Sequence, residues 1–204
     1  NVKPKDAIKH PNWRMGKKIS IDSATLMNKV FEVIEAQRIF KIDINKFDIL
    51  IHPSSYIHSI IKLNNGQIKI LAHDTDMKIP IFNSIYLESL KKINTKKINI
   101  NLLNNLKLMK INLNNFPSIR ILKKINNQNT LFETVLISAN DELVELYIRN
   151  KIKFLEINKI LLKVLNNKKY SNLTKKKPKK LSDIINLSKE VRLKTRNLCI
   201  QLRK

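Results

Sequence analysis

The chain has 204 residues, 43% of them hydrophobic, which is enough to bury a core over one or two domains and argues against wholesale disorder. Its 40 Lys and Arg against 16 Asp and Glu leave a net charge of +24, yet the cations are mostly Lys scattered among Ile and Asn, without the interleaved aromatics of a base-stacking surface. A single cysteine, Cys199, excludes an internal disulfide and a zinc site built from several cysteines, and no run reaches the roughly 18 apolar residues of a membrane span.

The first predicted element carries the most information. From Leu26 to Ile39 the residues Leu26, Val30, Val33 and Ile34 recur at helical spacing and form the buried stripe of an amphipathic helix. Asn28, Glu32 and Glu35 lie at steps of three to four, with Lys29 one position round, so all four project from the polar side. Asp22 and Ser23 stand just before the periodic segment, where short polar side chains cap free amides and the helix dipole attracts anions. The pattern suits a phosphate held by Ser23, Asn28 and Lys29. Glu32 is a hard oxygen ligand of the kind Mg2+ or Mn2+ accepts, although one carboxylate binds such an ion poorly and further acidic ligands have to come from elsewhere. The bland alternative stays open at this point, since Lys, Asn and Glu along one face also describe a solvated helix, and His10-Pro11-Asn12-Trp13 an ordinary turn with Trp13 as a satellite core residue.

Further along, Phe47 to Ile51 reads as a short buried strand ended by Pro53. Tyr56 to Leu63 and Gln67 to Ala72 flank Asn64-Asn65-Gly66, a hairpin signal. A helix is predicted from about Ile79 to Lys91, with Pro80 in its first turn. His52 and His58 flank Ser55, and a structural role is expected for both because no Asp or Glu accompanies them at ligand spacing. The segment 92–127 is Asn- and Lys-rich with only short apolar runs and reads as a connecting segment between domains. Helical periods return over Leu131 to Asn150, Phe154 to Leu165 and Ser182 to Leu202, with Ser182 as the expected cap. The run Lys175-Lys176-Lys177-Pro178-Lys179-Lys180 has the composition of a nucleic-acid patch, but reads better as a solvated interhelical loop broken by Pro178.

The stretch from His10 to Ala36 resembles 1-deoxy-D-xylulose 5-phosphate reductoisomerases, whose sequences run close to HPNWxMGxKIxxDSATxMNKGLExIEA. The similarity continues through Ile51-His52-Pro53-Ser54-Ser55-Tyr56-Ile57-His58-Ser59 and Asp76-Met77-Lys78-Ile79-Pro80-Ile81, with weaker echoes at Phe116 to Leu122 and at Ser138-Ala139-Asn140-Asp141. Val30 and Phe31 stand where the family has Gly-Leu, Ser54 where it has Gln, Thr75 where it has Pro, and Asp141 where it has Glu.

The resemblance implies substrate contacts from His10, Ser23, Asn28, Lys29 and Glu32, with His10 and Glu32 as the catalytic pair and Glu32 as the metal ligand. It implies that Trp13 and Met15 belong to a lid and that Gly16 approaches NADPH. The implied reaction is the NADPH-dependent rearrangement and reduction of 1-deoxy-D-xylulose 5-phosphate to 2-C-methyl-D-erythritol 4-phosphate in non-mevalonate isoprenoid synthesis, with Mg2+ or Mn2+, in a homodimer. The implied fold is an α/β catalytic domain with a mixed sheet, followed by a small all-α bundle. The expected organisation is a partial catalytic domain over 1–91, a connecting segment over 92–127 and a helical domain over 128–204.

Only two glycines occur, and neither sits in a Gly-rich strand-turn-helix, so a dinucleotide-binding domain is expected outside this chain. Asn1 is not a Met and only nine residues precede His10, so the chain is expected to be the C-terminal part of a longer protein, inactive alone. Two rival readings are a basic nucleic-acid-binding protein and a non-catalytic remnant or partner subunit. The expected compartment is a bacterial cytoplasm, with a plastid-type organelle as the alternative.

Overall fold

The computed structural model describes residues 2–9, 13, 15–86 and 91–202. In chain order it contains helices α1 (Pro4–Ala7), α2 (Lys17–Ala24) and α3 (Met27–Phe40), strands β1 (Leu50–Ile51), β2 (Ile57–Lys62) and β3 (Ile68–Ala72), helices α4 (Lys78–Ile85) and α5 (Ile100–Asn104), and strand β4 (Met109–Lys110). A 3-10 helix over Pro117–Lys124 follows, then α6 (Leu131–Ile148), α7 (Phe154–Leu165), α8 (Lys168–Ser171) and α9 (Leu181–Gln201). Two compact units result, one of Asn1–His10, Met15–Asp48 and Asn112–Lys204, the other of Pro11–Arg14 and Ile49–Ile111. The three expected segments are consecutive in sequence, whereas the first compact unit is not, because residues after 111 return to pack on α3.

The helix expected from Leu26 to Ile39 is α3, but the residues expected to cap it belong to a separate helix, α2, which precedes it. Thr25 Oγ1 donates back to the carbonyls of Ile21 (3.1 Å) and Asp22 (3.2 Å), and Leu26 then takes the left-handed conformation with φ 55° and ψ 17°. For a residue with a Cβ that conformation costs on the order of 1 kcal/mol, so the packing on either side has to hold it. Asp22 and Ser23 consequently lie in the last turn of α2 and do not cap α3, whose N-cap is Leu26 with no side-chain acceptor. The face α3 buries is Met27, Val30, Val33 and Gln37, while Leu26 and Ile34 of the expected stripe are only half-buried.

That face joins a core with Ile21, Ile121, Phe132, Leu136, Leu143, Tyr147, Ile157, Leu161 and Val191, all essentially inaccessible to solvent. α6 runs along α9 and α7, and its start is a capping box. Thr130 Oγ1 accepts from Phe132 N–H at 3.3 Å and Glu133 accepts from Thr130 N–H at 2.9 Å. α9 begins at Leu181, and its first turn is held by Asp183, whose carboxylate accepts from the amides of Lys179 (2.9 Å) and Lys180 (3.2 Å). Asp183 therefore does the work expected of Ser182. Two backbone donors hold its carboxyl below the usual range.

In the second unit the Asn64-Asn65-Gly66 turn joins β2 and β3, with Gly66 at φ 87°, as the hairpin signal requires. Register runs Ile60↔Ile70 and Lys62↔Ile68, with an irregularity between Ile57 and Ser59. The buried strand expected over Phe47 to Ile51 is only the two-residue β1, antiparallel to β4, and Leu50 is 39% exposed. So short a ladder leaves one face of Leu50 uncovered. The helix expected to Lys91 ends at Ile85, and residues 87–90 of that prediction lie outside the described residues. The architecture is thus helix-rich, with small two-stranded antiparallel sheets.

Candidate functional site

Asn28, Lys29 and Glu32 come together on the first turn and a half of α3. Lys29 Nζ lies 2.7 Å from Glu32 Oε2, and Asn28 Nδ2 donates to Glu32 Oε1 at 3.2 Å. A carboxylate only accepts, so this contact orients the Asn28 amide with its nitrogen toward Glu32. Asn28 Oδ1 is left buried with no hydrogen-bond partner among the described residues. Leaving a buried acceptor unmet costs about 1 to 3 kcal/mol, which a ligand hydroxyl or amine would remove. The Lys29 and Glu32 side chains are 39% and 53% exposed, so their ion pair contributes at most about 1 kcal/mol and yields readily to a ligand.

Ser23 is half-buried on α2, across the Leu26 corner from these three, and its carbonyl accepts from Leu26 N–H at 3.0 Å. Gly16 is the exposed N-cap residue of α2, with an ordinary φ of −65°, and a Cβ there would meet nothing within 4 Å. Met15 precedes it, half-buried. Trp13 belongs to the other unit and stands edge-on to His58, with ring centroids 5.9 Å apart. His10 lies outside the described residues.

His52 and His58 have structural partners, as expected. His58 stacks on His73 at 3.7 Å and its Nε2 lies 3.1 Å from the His73 carbonyl. His52 bridges the Lys107 carbonyl (2.8 Å) and Ser54 Oγ (2.7 Å). Among the described residues no group of three His, Cys, Asp or Glu stands close enough to hold a metal ion, so Glu32 offers one ligand and not a complete set. The Lys175 to Lys180 run is, as expected, an exposed connection between helices, with its five lysines open to solvent and the Lys176 carbonyl accepting from Leu131 N–H at 2.8 Å. No described helix is long and apolar enough to cross a membrane.

Sequence reasoning missed the polar network behind the site. Asp22, 3% exposed, accepts from Asn140 Nδ2 at 2.8 Å and from Lys18 Nζ at 2.7 Å, and Lys18 also reaches Asp141 Oδ1 at 3.1 Å. Arg192 closes on the far oxygen of Asp141 at 2.7 Å. Burial by itself pulls the Lys18 ammonium down, but its bonds to Asp22 and Asp141 outweigh that and hold it above the usual lysine range. The signal for this network was the Asn140-Asp141 pair, visible only as a weak motif echo 118 residues from Asp22. A separate cavity of about 420 Å³ is lined by Lys18, Phe31, Ile34, Glu35, Leu136 and Ile137 among others, but not by Asn28, Lys29 or Glu32.

A family model for the DXP reductoisomerase C-terminal domain matches residues 73–194, and a second, for the 1-deoxy-D-xylulose 5-phosphate reductoisomerase C-terminal domain, matches residues 1–40. The 1-deoxy-D-xylulose 5-phosphate reductoisomerase of Pelagibacter ubique is 52% identical over 200 residues, covering 98% of this chain and 52% of the relative. That of Clostridium beijerinckii is 37% identical over 195 residues, covering 94% and 49%. Among solved structures, a DOX-P reductoisomerase in complex with NADPH, fosmidomycin and magnesium superposes with a TM-score of 0.89 at 29% identity, over 100% of this chain and 51% of that one. The Zymomonas mobilis enzyme in complex with NADPH gives 0.80 at 30% identity, over 97% and 50%. The chain spans about half the length of the curated relatives it matches.

Proposed function

Because the chain belongs to the 1-deoxy-D-xylulose 5-phosphate reductoisomerase family, we propose that it supplies the substrate grip and helical C-terminal domain of an enzyme converting 1-deoxy-D-xylulose 5-phosphate to 2-C-methyl-D-erythritol 4-phosphate. The observation that carries this reading is the α3 cluster, in which one cation, one carboxylate and one buried unmet acceptor share a single helix face. Lys29 leaves its weak pair with Glu32 for a phosphate or hydroxyl oxygen of the substrate, and Ser23 contributes a hydroxyl donor from the end of α2. Asn28 Oδ1 accepts a substrate hydroxyl, which orients the sugar chain along α3. Phosphate binding contributes affinity remote from the reacting carbons, and that affinity holds them in place.

Glu32, once released by Lys29, is free to be one ligand of a divalent cation, Mg2+ or Mn2+. When bound, such a cation polarises substrate oxygens and NADPH donates a hydride. The remaining cation ligands and most of the NADPH contacts are proposed to come from the part of the relatives' length that this chain does not span, so the chain alone is proposed to be inactive. Gly16 supports an approach by NADPH, because neither its φ nor any neighbour within the chain requires a glycine there. His10 is assigned to the substrate, and Trp13 with Met15 to a lid, on the family's pattern alone. The exposed apolar hairpin, with Ile61 51%, Ile68 61% and Leu71 57% accessible, supports a homodimer through β2 and β3. The proposed compartment is a bacterial cytoplasm.

The test is substrate-dependent NADPH oxidation by the full-length protein with Mg2+. Lys29→Ala is expected to lower kcat/KM by roughly 100-fold, the loss of about one charged contact to phosphate. A Lys29→Ala variant as active as the parent would overturn the assignment of the site.

A further inference from the structure

The Leu26 corner divides the expected substrate contacts: Ser23 belongs to α2, and Asn28, Lys29 and Glu32 to α3. Any rotation about Thr25 and Leu26 changes the distance between Ser23 and the other three. A leucine has no intrinsic preference for a φ of 55°, so the corner keeps its angle only while something outside α2 and α3 holds both arms.

α3 is held through its buried Met27 and Val30, and two side chains from later in the chain hold the end of α2. Asn140, on α6, is wholly buried and donates to Asp22 Oδ1 at 2.8 Å, one residue before Ser23. Ser118, on the 3-10 helix and equally buried, donates from Oγ to the Thr25 carbonyl at 2.7 Å, one residue before the strained position. Asn140 Oδ1 has no hydrogen-bond partner among the described residues, although it too is buried. The amide therefore holds its place for its donor alone, and that donor goes to α2. Lys18 holds the second oxygen of Asp22 from within α2, so Asp22 is a fully paired anchor and Asn140 its tie to the helical domain.

We propose that Asn140 is a positioning residue for the substrate site: through Asp22 it sets the α2 to α3 corner, and with it the span between Ser23 and the Asn28, Lys29, Glu32 cluster. Asn140 touches no ligand in this scheme. The proposal rests on the reading of Ser23, Asn28 and Lys29 as contacts to the substrate's phosphate and hydroxyls, and it gives the C-terminal helical domain a part in recognition beyond support.

The experiment compares full-length parent, Asn140→Ala, and the exchange variant in which Asp22→Asn is combined with Asn140→Asp, which re-forms the bond with donor and acceptor reversed. Steady-state kinetics with 1-deoxy-D-xylulose 5-phosphate, NADPH and Mg2+ are read beside hydrogen exchange of the amides from residue 25 to residue 29. Asn140→Ala is expected to raise KM about tenfold with kcat within about threefold, the loss of one bond to a charged group, and to accelerate exchange at the corner. The exchange variant is expected to recover both. Should Asn140→Ala fail to fold, Ser118→Ala carries the same expectation from the Thr25 end of α2. Unchanged exchange at the corner overturns the proposal, and so does accelerated exchange with an unchanged KM. Absence of turnover in the parent overturns the enzymatic reading instead. In that case protection of residues 26–29 by inorganic phosphate decides the proposal, and equal protection in parent and Asn140→Ala overturns it.

Discussion

Lys29 Nζ stands 2.7 Å from Glu32 Oε2, three residues on along the same helix, with both side chains open to solvent. Such a pair adds little to folding, so its substitution separates binding from stability. In Glu32→Gln the midpoint of unfolding should move by less than about 0.5 kcal/mol equivalent. Substrate binding by the full-length protein should lose its dependence on Mg2+, measured by calorimetric titration with and without the cation. A variant that keeps the parent's metal dependence would remove Glu32 from the ligand set.

Val30, which stands where the family has Gly, is a core residue of this chain. Its side chain is 0% exposed and packs in the core with Ile21, Met27 and Phe132. Restoring glycine in Val30→Gly should therefore destabilise by about 2 to 4 kcal/mol, combining a cavity with the helix cost of glycine. Chemical denaturation of this chain reads that number. A neutral result would mean that the core closes over the missing side chain.

Lys41 ends α3 in the left-handed region, at φ 56°, with its side chain exposed and its N–H bonded to the Gln37 carbonyl at 3.0 Å. Glycine adopts that conformation without a Cβ penalty and no packing is lost. Lys41→Gly is expected to stabilise by about 0.5 to 1 kcal/mol. Thermal unfolding of the pair of proteins tests it, and a lower Tm for the variant would contradict the argument.

Glu190 links α8 to α9. It accepts from Lys169 Nζ at 2.7 Å and from the buried Tyr170 hydroxyl at 3.0 Å. The Lys169 bond first, then the Tyr170 bond, holds its carboxyl below the ordinary 4.5, while burial and the bond to Glu190 push the Tyr170 hydroxyl well above its ordinary 10.0. For the depressed acid, the stabilising contribution is complete above about pH 4.5 and is lost as pH falls through the folded value. For the raised phenol it is complete below about pH 10 and is lost as pH rises beyond it. Urea midpoints followed between about pH 3 and pH 7 should fall less steeply at the acid end in Glu190→Gln than in the parent. Parallel curves would show that the pair carries no linkage.

Much of the helical domain was legible because its signals are local. Apolar positions at helical spacing carry α6 and α7 to within two residues of their ends. The hairpin was equally plain, because Asn65-Gly66 sits between two apolar runs and its turn needs a positive φ that glycine supplies. The strand over Phe47 to Ile51 and the cap at Ser182 were misjudged for one reason. A short apolar run and a serine each fit several local structures, and the choice went to whichever partner was at hand, β4 for the first and Asp183 for the second.

The amino-acid order was sufficient for the side chains on the polar face of α3, since a helical period of 3.6 residues brings Asn28, Lys29 and Glu32 to one side wherever that helix lies. It was sufficient, too, for the family, through the residues from His10 to Ala36. It could not place the break at Leu26, whose left-handed conformation local preference opposes and tertiary contacts help to hold. Asn140 and Ser118 reach it across 118 and 93 residues of chain, and a hydrogen bond over that separation leaves no periodic trace in the sequence. The corner between α2, which carries Ser23, and α3 is therefore held by tertiary packing, while the polar face of α3 is a product of local order.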